Sequence, residues 1–334
     1  MDALSVLLQN VHLFETKYYR LNGTGNWSYS ITRQDTILFY LVMSGSFCID
    51  VGNGLRQAHA GDMIMIPSAH KHVSYALDHN GDDALPLDEL LTHCKENTLD
   101  IDGNGDPNSS LILIECKYDK EMIRPLLSVL PAILPEINDE SDGRFEVIDV
   151  EIKLLTLEAE RERMGKTAII NHWASIMMIE CLRVYIESLP EATENWLKAM
   201  KDPFLTKALA AMHQAPNQNW TIHKLAEVAG MSRSSFAQRF KDTVGMPPLT
   251  YLIDYRLRLA ARYLRLQQNS IGRISELVGY ASDSTFSQAF KRVYGVSPKA
   301  IANNINKKTS HNVSLIHYKS VKVAIRPLTL FVFS

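Results

Sequence analysis

Cysteine is scarce in this chain of 334 residues: Cys48, Cys94, Cys116 and Cys181 lie far apart, and none belongs to a C-x-x-C pair. A disulfide framework is thereby excluded, and a reducing cytoplasm is the expected setting. No run of about eighteen uncharged apolar residues occurs and no secretion signal opens the chain, so neither a membrane span nor export is expected. Excess charge is nearly missing as well, at −2 overall. That balance hides an asymmetry. Residues 202–303 hold 13 Lys/Arg against 6 Asp/Glu, residues 1–201 hold 17 against 31, and residues 304–334 add 5 basic residues. The chain therefore joins an acidic module to a basic one. Basic surface is drawn to phosphate through counterion release, whereas the acidic part is kept off nucleic acid and left for another task.

What the basic module contains is a repeat. At an offset of 49, Leu225-Ala226-Glu227-Val228-Ala229-Gly230 matches Ile274-Ser275-Glu276-Leu277-Val278-Gly279; at 50, Phe236, Phe240, Gly245 and Pro248 match Phe286, Phe290, Gly295 and Pro298. Each copy reads as a helix-turn-helix. Thr221 or Ser270 caps a first helix, Gly230 or Gly279 permits the turn, and Ser232 or Ser282 caps a second helix. At 100° per residue the paired phenylalanines share one face, which should bury against the preceding helix. The opposite face carries Ser234, Gln238 and Lys241 in one copy and Ser284, Gln288 and Lys291 in the other. Packing gives no reason to repeat a solvent face, but reading DNA does: Gln pairs with adenine, Ser reaches base edges or phosphate, and Lys neutralises phosphate. Arg233, Arg239 and Arg292 lie on the same two helices. Between the copies, Leu252, Tyr255, Leu259, Tyr263 and Leu266 recur at helical spacing among Arg256, Arg258, Arg262 and Arg265. The pattern predicts one connector helix of about 18 residues, roughly 27 Å long, able to hold two reading helices about one duplex turn apart.

The run WTIHKLAEVAGMSRSSFAQRFKDTVGMPPLTYL, the YRLRLAARYL helix and VGYASDSTFSQAFKRVYGVSPKAI resemble the DNA-binding domain of the AraC/XylS family of bacterial transcription regulators. Upstream, Met1-Asp2-Ala3-Leu4-Ser5, Gly61-Asp62-Met63-Ile64-Met65-Ile66-Pro67 and Asn195-Trp196-Leu197 are similar to members with an N-terminal cupin-type sensor. The resemblance implies an effector-responsive regulator, commonly an activator that contacts RNA polymerase. It places base readers on Ser234, Ala237 and Gln238, and on Asp283, Ser284, Thr285, Ser287 and Gln288. Asp283 departs from the pattern, since an acid near phosphate contacts a base only by accepting from a cytosine amino group.

In the acidic part, Ile37 to Met43, Phe47 to Val51 and Met63 to Pro67 read as strands, with Ser44-Gly45-Ser46 and Gly52-Asn53-Gly54 as turns. Such strands suit a small antiparallel barrel or a jelly roll; the cupin assignment follows from the resemblance. Metal-dependent cupin enzymes need several converging His and a carboxylate. Phe39 to Asp50 contains no His, and only His70 and His72 lie at period two. No metal, cofactor or catalytic residue is therefore expected, and His70 and His72 stand as candidate effector contacts. Asp78 to Ser110 reads as an acidic loop bordering the sensor. Its Asp100-Ile101-Asp102-Gly103-Asn104-Gly105-Asp106 opens like a calcium loop but reaches Leu111 where the bidentate Glu belongs. Cys94, between His93 and Lys95, is the candidate redox sensor, because neighbouring positive charge favours thiolate; Cys48 and Cys116 read as buried, Cys116 also being a candidate sensor.

Two helices follow, Phe145 to Arg163 with Ile148, Ile152, Leu155 and Ala159, and Thr167 to Leu189 with Ile169, Ile170, Trp173, Ile176, Met177 and Leu182. Their apolar faces suit burial in the domain or a homodimer seam. The fold expected is α+β: an N-terminal antiparallel β-barrel of cupin-like jelly-roll type with accessory helices over 1–125, a helical dimerisation and linker region over 126–200, and an all-α DNA-binding domain of two helix-turn-helix motifs over 201–303. Residues 304–334 form a tail with a strand-prone end, Leu328 to Phe333, and no assigned role. Expected partners are double-stranded DNA, RNA polymerase, a second copy of the chain, and a small-molecule or oxidant effector. Two rivals remain open: a cupin enzyme fused to DNA-binding helices, and an architectural DNA-binding protein without an effector.

Overall fold

The computed structural model describes residues 3–8, 11, 13–52, 54–68, 71–101, 108–134, 150, 153–155, 157–158, 163–190 and 196–303. They form two compact units, Met1–Arg262 and Tyr263–Ser334.

The first unit begins with a short helix α1 (Ala3–Leu8) and a set of strands: β1 (Leu13–Gly23), β2 (Ser28–Ile31), β3 (Thr36–Asp50), β4 (Leu55–His59), β5 (Met63–Ile66), β6 (His72–Ala76), β7 (Leu85–Pro86), β8 (Thr98–Ile101) and β9 (Ser109–Tyr118). Short helix α2 (Leu87–Leu90) follows β7. The order β7-β2-β6-β3-β9-β1-β8, with β4 and β5 also on β3, makes β3 the spine. Its first half pairs with β9 and β5 and its second half with β4 and β6, so one strand serves two sheets.

That strand differs from the sequence expectation. Ser44-Gly45-Ser46 is not a turn; Ser44 and Gly45 pair with Ser110 and Ser109 of β9, the register shifts just before them between Val42 and Ser44, and the strand runs on. Gly45 sits at φ +72°, and a Cβ there would lie 1.9 Å from the carbonyl oxygen of Asn108. A glycine at positive φ marks a turn and a close approach within a strand alike, which is why sequence alone did not separate them. The interval from Asp78 to Ser110 is likewise more than loop. It holds β7, α2 and β8, whose partners β2 and β1 pair in parallel from far along the chain. Asp102 to Asp106 of the calcium-like run lie outside the described residues, and the Asp100 carboxylate accepts a 2.9 Å hydrogen bond from Asn22.

Both faces of β3 are apolar because both are buried. Ile37, Phe39 and Leu41 face a core shared with Ile112, Ile114 and Cys116 and with the helix α4 (Lys166–Ser188), through Ala174, Met177, Cys181 and Leu182. Leu38, Tyr40 and Val42 face the barrel interior with Trp27, Tyr29, Phe47, Leu111 and Leu113. Helix α3 (Lys120–Leu127) follows β9, its N-cap Asp119 accepting from Glu121 N. Within the first predicted helix, residues 153–155 and 157–158 are helical; Ile148, Ile152 and Ala159 lie outside the described residues. On α4 the expected apolar face is divided. Ile170, Met177 and Leu182 are buried, while Ile169 and Ile176 remain exposed.

The first helix-turn-helix belongs to this unit: α5 (Leu205–Gln214), α6 (Ile222–Ala229), α7 (Arg233–Val244) and the connector α8 (Pro248–Leu266). The unit boundary falls inside α8 because α1 packs on α5, Trp196 Nε1 donates to Pro125 O at 3.1 Å, and Arg262 lies 4.0 Å from Asp119. The second unit contains α9 (Ile271–Leu277) and α10 (Asp283–Tyr294).

Candidate nucleic-acid interface

The two helix-turn-helix copies fold alike, and their local bonds show why. Thr221 accepts from Lys224 N and Ser270 from Arg273 N, closing the first turns of α6 and α9. Both helices then end on the same pair of backbone bonds. Gly230 N donates to Glu227 O at 3.0 Å and Met231 N to Ala226 O at 2.9 Å; Gly279 N donates to Glu276 O and Tyr280 N to Ser275 O, both at 3.0 Å. The left-handed glycine makes this closure possible. The inserted residue, Ala281, comes after it, so the extra length sits in the turn and leaves the helices unchanged. Ser232 and Ser282 cap α7 and α10 by accepting from Ser235 N and Thr285 N.

Inside each copy the phenylalanines pair as the spacing predicts. Phe236 and Phe240 lie 5.7 Å apart at 58°, Phe286 and Phe290 5.6 Å apart at 60°, all four fully buried. Anchoring this face leaves the other outward: Ser234, Gln238 and Lys241 are exposed, as are Ser284, Gln288 and Lys291. Ala237 and Ser287 are half-buried at the margin. The structure thus places each predicted trio together on one face of its own helix.

The remaining predicted contacts divide. Arg233, Lys241, Lys291 and Arg292 are exposed. Arg239 is turned onto the protein, its Nε 2.5 Å from Asp202 Oδ2 and its guanidinium 5.2 Å from the Phe204 ring. Asp202 is doubly used, since its other oxygen accepts from Phe204 N and Leu205 N at the start of α5. Thr285 Oγ1 lies 2.9 Å from the cap Ser282. Asp283 opens α10, where an acid favours the helix N-terminus, and its carboxylate lies over Gly272 of α9. Of the connector arginines, Arg256 donates to Pro216 O and Gln218 O, and Arg258 pairs with Asp254 at 2.9 Å.

One partner was missed by sequence reasoning. Gln238 Nε2 lies 2.8 and 3.0 Å from the two carboxylate oxygens of Asp242. The signal was an acceptor four residues after the glutamine, a spacing that brings side chains together on a helix.

In the barrel, His72 is buried with Nε2 2.8 Å from Tyr40 Oη, and His70 lies outside the described residues. Trp27 stacks on Tyr29 at 5.7 Å and Tyr40 meets Phe47 at 5.8 Å, so aromatic rings fill the interior. A cleft of about 330 Å³ includes Lys17, Tyr19, Arg33, Asp88, Glu115 and Lys117 in its lining. Arg33 spans two acids, 2.8 Å from Glu115 and 2.9 Å from Asp88. Partial burial opposes its charge, and the two carboxylates outweigh that effect, so its pKa is raised. Cys48 and Cys116 are buried as expected, and Cys94 differs from expectation. Cys94 is half-buried, and burial raises its pKa despite a backbone hydrogen bond from Asn97, so the environment disfavours the thiolate. Burial pushes Cys116 up to about 12, where its sulfur accepts from Thr16 Oγ1 at 3.4 Å.

Comparison with known proteins agrees with both halves. A helix-turn-helix domain family matches residues 225–304, and a cupin family matches residues 2–187. The HTH-type transcriptional regulator AlkR of Acinetobacter baylyi is 33% identical over 301 residues, covering 90% of this chain and 98% of AlkR. A putative AraC-like transcription regulator of Streptomyces lividans is 39% identical over 173 residues, 52% of this chain and 56% of that protein. The RCS-specific HTH-type transcriptional activator RclR of Escherichia coli is 33% identical over 147 residues, 44% of this chain and 51% of RclR.

Proposed function

The chain belongs to the AraC-type family of helix-turn-helix transcription regulators with an N-terminal cupin domain, and from that premise we propose that α7 and α10 read two successive major grooves of one site under control of the cupin-like half. That it is a DNA-binding transcription regulator follows from the family. The observation that carries the proposed reading is the repeated, exposed Ser/Gln/Lys face on two helices whose caps, turns and buried rings also repeat. In this reading Ser234, Gln238, Ser284 and Gln288 meet base edges, and Lys241, Lys291, Arg233 and Arg292 meet phosphate. Between the copies α8 runs unbroken over 19 residues, about 28 Å.

Control passes through the first unit, where the sensor half and the first helix-turn-helix share one compact body. The cleft beside Arg33 and Glu115 is the proposed entry for a small-molecule effector. The protein acts as an activator, a reading supported by the RclR relative's name, and works without catalysis in the cytoplasm in contact with RNA polymerase. The apolar Ile169 and Ile176, seven residues apart and exposed on α4, support a homodimer seam there. An oxidant signal at Cys94 has less support than a small molecule, because partial burial disfavours its thiolate.

Selection of binding sites from random duplex DNA with the full chain tests the reading. Two base clusters about 10 to 11 base pairs apart are expected, and Lys241→Ala or Lys291→Ala should weaken all sequences alike while flattening the salt slope by about one. A single cluster would reduce the second copy to a backbone clamp.

A further inference from the structure

The cleft beside Arg33 is the mouth of the barrel. Side chains alternate between the faces of a strand, and the inward positions Leu21 on β1, Leu38 and Tyr40 on β3, and Leu111 and Leu113 on β9 fill the interior. Toward one end the same alternation turns polar on all three strands, at Lys17, Thr36, Glu115 and Lys117. Lys17 stands opposite Glu115 and Thr36 opposite Lys117, and all four line the cleft of about 330 Å³. Arg33 grips two acids there in different ways. Its Nε and one terminal nitrogen lie 2.9 and 2.8 Å from a single oxygen of Glu115, whose side chain is only 9% exposed. Its outer edge takes both oxygens of Asp88, at 3.0 and 2.9 Å, from a side chain 71% exposed on the four-residue helix α2. One acid is built into the barrel, and the other is laid on Arg33 from the solvent side.

We propose that this cleft binds a small monocarboxylate, which takes the place of the Asp88 carboxylate on the outer edge of Arg33. The proposal rests on the reading of the cleft as the effector site and names the effector's class. Among the described lining residues three cations, Lys17, Arg33 and Lys117, meet three acids, Glu15, Asp88 and Glu115. With Asp88 turned away one positive charge is left over, and a single carboxylate balances it. Lys117 Nζ is held by neutral acceptors, Gln34 O at 2.9 Å and Thr36 Oγ1 at 3.0 Å, so its charge faces the cleft undiminished by those bonds. Glu115 is no obstacle, because the structure already seats a second carboxylate beside it on the same guanidinium. An exposed ion pair is weak, so Asp88 yields its place readily. A ligand enclosed by the cleft is better shielded from water than Asp88 at the rim and gains more from the same bidentate fork. An uncharged hydrocarbon would strip water from these charges without replacing it, and the interior beyond is filled with rings.

The test is calorimetric titration of the full chain with acetate, propionate and phenylacetate, each beside its amide, which keeps the shape and removes the charge. At least one acid should bind about tenfold more tightly than its amide. Asp88→Ala removes the internal competitor and should tighten that acid by about twofold to fivefold. Arg33→Lys keeps a charge beside Glu115 but loses the fork; it should weaken the acid about tenfold and cancel the gain from Asp88→Ala. Acid binding that Asp88→Ala weakens or leaves unchanged would overturn the proposal, as would amides that bind as well as the acids. Amides whose binding Arg33→Lys weakens would keep the cleft as a binding site and discard the carboxylate. Acid binding that follows the expected pattern yet leaves affinity for the selected DNA unaltered would keep the carboxylate site and refute the effector reading. No binding by any compound of the panel, to wild type or to Asp88→Ala, overturns both.

Discussion

At the scale of single residues, what could be read from sequence was what bonds locally. Thr221, Ser232, Ser270 and Ser282 were legible as caps because each accepts from a backbone N–H three residues ahead, a bond written into adjacent residues. Arg239 was not, since its partner Asp202 is 37 positions away and only the folded chain brings them together. His213 is a second such case. It is buried on α5, stacked 4.2 Å from Tyr255, with Nε2 2.8 Å from Tyr251 Oη. Burial, helped by the charge of Arg258, lowers its pKa from 6.5 to about 3. The unfolded chain therefore takes up a proton near pH 6.5 that the folded chain refuses until about pH 3. Below 6.5 the unfolded state binds more protons, so stability falls with pH, by about 1.4 kcal/mol per unit for this one group. His213→Gln keeps a hydrogen-bonding side chain that does not titrate. Urea denaturation at pH 6, 5.5 and 5 should show the variant losing stability less steeply by nearly that amount per unit, and equal slopes for the two proteins would contradict this origin of acid sensitivity.

At the scale of elements, helices were more legible than strands, and the reason is range. The apolar spacing from Thr167 to Leu189 gave α4 to within a residue, because a helix satisfies its backbone within four positions. The run of β3 through Ser44-Gly45 depended on β9, some sixty-five residues later, and β8 depended on a parallel partner in β1. Neither pairing is visible in the strand's own residues. The continuity of β3 through Gly45 makes a prediction that a turn does not. At an open turn, Gly45→Ala would cost only left-handed backbone strain, about 1 to 2 kcal/mol. Here the added methyl also meets the Asn108 carbonyl, and overpacking adds about 1 to 3 kcal/mol. Thermal melting of the alanine variant should therefore show a loss near 3 kcal/mol. A loss of about 1 kcal/mol would mean that the two halves of β3 are separate strands after all.

At the scale of the whole molecule, charge and contact divide the chain in different places. Charge changes sign near residue 202, where the acidic half gives way to the basic one. The compact units instead separate at Arg262, inside the connector helix, with the first helix-turn-helix in the same unit as the cupin-like strands. Two reading modules of the same design thus have unequal support. The first shares a body whose cores run from β1 to α8; the second has about forty described residues, near the lower limit at which a lone hydrophobic core sustains a fold. Calorimetry of the full chain should accordingly show a small transition for the second unit at lower temperature and a larger one for the first. Removing a matched ring from each copy assigns them, since Phe→Ala in a core costs about 3 to 5 kcal/mol. Phe286→Ala should lower or abolish the small transition and leave the large one in place, whereas Phe236→Ala should lower the large one. If both variants shift the same transition, the two helix-turn-helix copies unfold together and the stability of the second reader is not its own.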